Sequence, residues 1–250
     1  MPPFVRTLFE AILGLVIIAV VWVLLAGTIG DPAKLPSLPA VLQKAVELAP
    51  SDAYLRHFGD SGTALLAGLL PALFAGVFLG MIAGMSRATR FLFGPFAVTL
   101  GAAPLVVMVP MFFAWWGAGI TTKAAAVFMM AVFPIMNMVM VATGTRRPAP
   151  MMAVNGGGKR HAVVSDGGAA ATIAAAAAIV GGLRVGVVVG VTALIIVEFM
   201  ASNHGVGYFI AESARTLDTT ATMAGILLVA VPTILMAAFL QAIQEQVAGA

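Results

Sequence analysis

No cysteine occurs anywhere in the 250 residues, which excludes a disulfide framework, a thiol nucleophile, a thiolate zinc site and an iron–sulfur cluster. Charge is the second scarcity. Asp, Glu, Lys and Arg make up 9% of the chain, against roughly 25% in soluble globular domains, too few to cover a water-facing surface. Catalytic patterning is the third. No HExxH, GxSxG or paired-carboxylate spacing lies within or beside an apolar run, and the three histidines, His57, His161 and His204, fall in different expected loops. The nearest approach to a phosphate-cradling Walker loop is Gly156-Gly157-Gly158-Lys159, which is followed by Arg160 and has no strand before it. The expectation is therefore a non-enzyme without its own cofactor. If ATP drives it, another chain binds the nucleotide.

What is abundant is apolar surface: 61% of residues are hydrophobic and mean hydropathy is +1.07. The 27 glycines fit close approach of membrane helices, and the 14 prolines are tolerable where neighbouring helices satisfy freed carbonyls. The net charge of +3 does not point to nucleic acid, because the 13 Lys and Arg are scattered.

A helix needs about 20 mostly apolar residues to cross a bilayer. Six segments qualify, at about 8–27, 61–85, 95–117, 124–144, 171–200 and 221–243, giving an all-α membrane protein with one transmembrane domain over 1–250. The first is long for a signal peptide and lacks a clear Ala-x-Ala cleavage site, and Trp22 suits an interfacial anchor. Short linkers, Ser86–Arg90 and Gly117–Lys123, join spans two to three and three to four. Leu38–Leu48 reads as a short surface helix in the connection 28–60, and a second long connection covers 145–170.

Counting cations sets the orientation. With the N-terminus inside, Arg6, Arg87, Arg90, Arg146, Arg147, Lys159 and Arg160 fall on the cytoplasmic side, against Lys34, Lys44, Arg56, Lys123 and Arg215 outside. Both termini are expected in the cytoplasm. Ionisable groups inside spans are functional candidates by default. Arg184 and Glu198 share span five, fourteen residues apart, or roughly 21 Å along a helix, too far to pair. Either snorkels or caps a neighbouring helix, or lines a hydrated path in which Arg184 attracts an anion. Asn137 in span four serves an interhelical hydrogen bond or the cargo. Pro104, Pro110, Pro134 and Pro232 are expected to interrupt spans three, four and six, while Met129, Met130, Met136, Met138 and Met140 read as packing.

Six strings, in order, carry a resemblance. LPSLPAVLQKAVEL follows span one; LGMIAGMSRATRFLFGPF joins spans two and three; AAPLVVMVPMFFAWWGAGITTKAAAVFMMAVFPIMNM covers spans three and four; GGLRVG, VEFM and NHGVGYFI mark span five and the turn after it. Together they resemble the permease subunits of binding-protein-dependent ABC importers of the taurine, aliphatic sulfonate and nitrate type. The resemblance implies a type I importer bundle in the bacterial inner membrane, paired with a second permease subunit as homo- or heterodimer. It also implies two cytoplasmic ATPase subunits carrying ATP and Mg, and a periplasmic binding protein delivering a small solute, an organic or inorganic anion. The implied ATPase contact is Asn155, Gly156, Gly157, Gly158, Lys159, Arg160 and His161. The translocation-path candidates are Asn137, Arg184 and Thr192, and the binding-protein contact is His204, Gly205, Gly207 and Tyr208.

One passage departs from the family pattern. The cytoplasmic loop of such permeases carries Glu-Ala-Ala-x-x-x-Gly, whose short coupling helix docks on the ATPase, followed by Leu-Pro. Here PAPMMAVNGGGKRHAVVSDGGAAATIAAAAAIVGGLR has neither motif. Each glycine costs a helix about 1 kcal/mol relative to alanine, so a coupling helix from Asn155 would be poor. A degenerate partner in a heterodimer, a chain that has lost ATP coupling, and an imprecise sequence each account for the departure. A non-transporting membrane scaffold and an ATP-independent transporter are the alternatives to the importer, although the latter calls for inverted repeats that the two halves do not show.

Overall fold

The computed structural model describes residues 3–102, 105–144, 152–154, 160–162 and 167–249. It is all-α apart from one small hairpin. The helices are α1 (Pro3–Ile29), α2 (Leu38–Leu48), α3 (Asp52–Gly84), α4 (Arg87–Ala102), α5 (Val109–Trp116), α6 (Ile120–Gly144), α7 (Gly167–Ala201), α8 (Val206–Arg215) and α9 (Thr219–Gly249). Among the described residues, five helices are long and apolar enough to cross a bilayer: α1, α3, α6, α7 and α9.

The stretch expected as a third continuous span is instead α4, a single 3-10 turn at Leu105–Met108, and α5. Pro110 sits in the first turn of α5, where a missing donor costs nothing. Pro104, also expected to interrupt this span, lies outside the described residues. Pro134 and Pro232, expected to interrupt their spans, lie inside α6 and α9 without ending them. Each removes one backbone bond, and the packing of the long helices outweighs that loss.

The centre of the bundle is the contact of α3 with α6 and α7. Along α3, Ala64, Gly68, Ala72, Gly76, Gly80 and Gly84 recur every fourth residue and are all buried. They make one smooth stripe, because residues four apart share a helix face. The facing stripe of α6 has the same period and bulkier members: Val127, Ala131, Ile135, Val139 and Thr143. A methyl group on Gly76 would stand 2.8 Å from Ile135 Cβ, and one on Gly80 would stand 2.7 Å from the Met136 carbonyl oxygen, so the two backbones meet with no room for a side chain. From the other side α7 presses Gly182 and Gly186 onto the same Ile135, which is fully buried.

The other elements are arranged around this centre. α1 packs on α9 and exposes Ile12, Val16, Ile17 and Leu24 along its length, as a lipid-facing helix does. Trp22 Nε1 donates to the Pro36 carbonyl at 3.0 Å, tying α1 to the start of α2, and Val41 and Ala45 of α2 are buried against Ala224 of α9. At α5–α6, Gly117 has φ +71°, and the buried Thr122 hydroxyl donates to the Gly117 carbonyl at 2.6 Å. Between α6 and α7, Met152–Val154 (β1) and Arg160–Ala162 (β2) pair antiparallel in the register Val154↔Arg160.

Candidate functional site

At the end of the bundle where α6 begins and α7 finishes, four helices converge on one carboxylate. Glu198, in the last turn of α7, is 1% exposed, and Lys123, in the first turn of α6, is 5% exposed. Lys123 Nζ lies 3.0 Å from Glu198 Oε1. The same ammonium donates to the His204 carbonyl at 2.7 Å. The Ser61 hydroxyl of α3, 2.8 Å from both carboxylate oxygens, donates to Glu198 and accepts the Val206 amide at 2.8 Å. Gly207 N–H donates to Glu198 Oε2 at 2.9 Å. The carboxylate thus caps the start of α8, whose first amides would otherwise be left without acceptors.

The turn Ser202–Gly207 is shaped by this arrangement. Ser202 Oγ donates to the His204 carbonyl at 2.6 Å and accepts the His204 amide. Gly205 takes φ +110°, a conformation L side chains rarely adopt, and a Cβ there would strike the Glu198 carboxylate. Its amide donates to His57 Nδ1 at 3.1 Å, which places the imidazole proton on Nε2. Tyr208 lies against His57 with ring centroids 5.8 Å apart. All three backbone amides from Gly205 to Gly207 thus find acceptors on α3 or α7.

The sequence places Lys123 at the end of the linker 117–123; it lies instead in the first turn of α6, with Glu198 and the His204 carbonyl as its partners. It treats Glu198 and Arg184 alike, and the structure separates them. Glu198 is the helix cap, whereas Arg184 turns toward α9. Its Nη1 donates to Gln241 Oε1 at 2.9 Å, Gln241 Nε2 donates to Glu245 at 3.1 Å, and the buried Arg184 Nε has no partner. Thr192 is exposed on α7, with its hydroxyl bonded to the Val188 carbonyl at 2.9 Å. Asn137 is half-buried on α6. No hydrogen bond joins Asn137, Arg184 and Thr192 to one another among the described residues.

The remaining candidates divide between the two ends. His204, Gly205, Gly207 and Tyr208 sit together in the turn and the first turn of α8. Asn155, Gly156, Gly157, Gly158 and Lys159 lie outside the described residues, and Arg160 and His161 open β2. Ser61 was missed altogether. For the ion pair a signal was present in the sequence: one basic residue, Lys123, immediately before span four, and one acidic residue, Glu198, near the end of span five. In antiparallel neighbours those positions share one depth.

These features define an all-α, multi-pass membrane protein built on a tightly apposed three-helix centre. Over most of its length the chain is similar to ABC transporter permeases. It is 24% identical over 236 residues to a taurine transport system permease protein of Escherichia coli, covering 92% of this chain and 85% of that one. It is 26% identical over 216 residues to a putative aliphatic sulfonates transport permease protein of Bacillus subtilis, covering 86% and 78%. A formylaminopyrimidine transport permease protein of Halalkalibacterium halodurans is 22% identical over 201 residues, covering 80% and 79%. No family model matches the chain.

Proposed function

We propose that this chain is the membrane-embedded half of an ATP-driven importer for a small anion, of the sulfonate or nitrate kind, in the bacterial inner membrane. The observation that carries the reading is the extent of the similarity. The match to the taurine permease covers 92% of this chain and 85% of that one, so it takes in nearly the whole set of helices. A second permease subunit would complete the pathway, two ATPases would bind ATP and Mg beneath it, and a periplasmic binding protein would deliver the solute.

Three features of the fold support the assignment of parts. The loop between α6 and α7 carries the candidate ATPase contact, Asn155–His161, so ATPase movement would reach the two most tightly packed helices of the bundle directly. The cation count, seven inside against Lys34, Lys44, Arg56, Lys123 and Arg215 outside, favours cytoplasmic termini. Arg184 supplies the one positive charge expected deep in a span, and its unpartnered Nε leaves hydrogen-bonding capacity for an anion. Asn137 and Thr192 are the uncharged path candidates.

The test is uptake of taurine, ethanesulfonate and nitrate by cells expressing this chain together with a candidate ATPase subunit and a candidate binding protein. Uptake of at least one anion that stops on ATP depletion, and falls tenfold or more with Arg184→Ala, is the expected result. Uptake that survives ATP depletion, with no ATPase subunit co-purifying, overturns the importer reading. Uptake unchanged by Arg184→Ala removes that residue from the path.

A further inference from the structure

The buried ion pair has a position that its chemistry alone does not explain. Lys123 opens α6 and Glu198 closes α7, so the pair joins these two helices at one end. At the opposite end the connection 145–166 runs between the same two helices. The carboxylate also holds the turn Ser202–Gly207 through Gly207 N–H and, by way of Ser61, Val206 N–H. One ionised group therefore fastens the turn, α3, α6 and α7 together. Burying an ion pair in an apolar bundle is costly, and an apolar pair of similar volume would often serve stability as well or better. That cost calls for a reason other than stability.

We propose that Lys123 and Glu198 are positioning residues that make the Ser202–Gly207 turn and the adjoining ends of α6 and α7 one rigid body. A force applied to the exposed residues Asn203 and His204 is thereby delivered to the helix pair that flanks the 145–166 loop. The carboxylate is specifically required at position 198, because only an acceptor there can serve the ammonium, the Ser61 hydroxyl and the Gly207 amide together. A charge reversal that puts lysine at 198 and glutamate at 123 would leave Gly207 N–H without an acceptor. The transmission to the loop rests on the importer reading; the rigid body does not.

The absence of cysteine makes the test clean. Thr121 and Met200 are exposed at the two helix ends, so Thr121→Cys and Met200→Cys can carry spin labels on the intact chain in nanodiscs. The native pair should give a narrow interspin distance distribution. Lys123→Met with Glu198→Gln removes both charges without orphaning either, and leaves an amide oxygen to accept Gly207 N–H. That variant should retain its helix content and show a distribution at least twice as broad. In cells, uptake of whichever anion is transported should fall tenfold or more, and a bis-maleimide tether of native length between the two cysteines should restore it. An unchanged distribution in a folded Lys123→Met/Glu198→Gln chain overturns the rigid body, whatever the protein transports. A broadened distribution with undiminished uptake overturns the transmission. If this variant fails to fold, the charge reversal takes its place. Restoration of the narrow distribution by the reversal overturns the requirement for a carboxylate at 198, while a distribution that stays broad supports it.

Discussion

The two ends of the α3–α6–α7 centre are built differently. At the Glu198 end, a buried carboxylate, an ammonium, a hydroxyl, an imidazole and three backbone amides are mutually satisfied. At the Gly144 end, Arg90 lies on Gly144 with a buried Nε that has no partner, beside a cleft of about 1150 Å³ lined by Met81, Met85, Ser86, Arg87 and Thr143. Between them runs one continuous packing stripe of small residues against branched ones. Helices pinned by polar bonds at one end and joined by a long connection at the other can part most easily at the free end. In an importer, that is the end where ATPases would act. For the importer proposed above, the stiffer end would then lie away from the ATPases and the more compliant end beside them.

Breaking the pinned end should have the largest effect. Glu198→Gln leaves the Lys123 ammonium buried without a counter-charge, and removing one partner of a buried pair costs ~3–5 kcal/mol. The expected outcome, read by thermal unfolding in detergent and by folded yield, is a large drop in both. A near-native transition would mean that water reaches Lys123 and that the end is not sealed. Disturbing the stripe comes next. Gly76→Val places two methyl groups where even a Cβ would lie 2.8 Å from Ile135, and overpacking of this kind costs about 3 kcal/mol. Loss of the α3–α6 contact should appear as accelerated proteolysis within both helices. If Gly76→Val is tolerated, the close approach that unites the two ends is not required.

Much of this architecture was legible in the amino acids, and what escaped did so for identifiable reasons. The apolar runs announce their helices because length and hydropathy are local properties, and α1, α3, α6, α7 and α9 contain the corresponding segments. The stretch 95–117 is apolar too, yet its described residues fall in α4, a 3-10 turn and α5 rather than in one helix, since hydropathy carries no information on backbone donors. Glu198 was legible as a candidate helix cap, but not its partner. Lys123 follows Gly117 and Gly119, turn-formers that mark a linker, and only the pairing of α6 with α7 reveals that it points inward. Ser61 carries no signal of its own; a lone serine inside a membrane helix is commonplace, and its role depends on an amide 145 residues away. The small-residue stripe of α3 was visible in the spacing of Gly68, Gly76, Gly80 and Gly84, but its partner face required the fold.

Ser61→Ala sharpens the comparison at intermediate size. It removes one donor from Glu198 and leaves Val206 N–H without an acceptor in a buried site, a loss of ~1–3 kcal/mol. Hydrogen exchange at the Val206 and Gly207 amides should quicken while the α3–α6 amides near Gly76 stay protected. Equal quickening in both places would show that the turn and the stripe open as one unit and that the pinned end is not a separate fastening.

The smallest effect belongs to the free end. Arg90→Met keeps an apolar stem against Gly144 and discards a guanidinium whose buried Nε has no partner, so there is no satisfied bond at that nitrogen to lose. Stability should move by no more than about 0.5 kcal/mol, in the range of ordinary substitutions away from a named mechanism. The sign is informative, since relieving an unpaired buried donor favours the variant and losing the charge at a membrane boundary opposes it. A loss comparable to that of Glu198→Gln would reveal a charge-dependent fastening at the Gly144 end. The helices would then be pinned at both ends, and the compliance inferred from their asymmetry would have to lie elsewhere in the bundle.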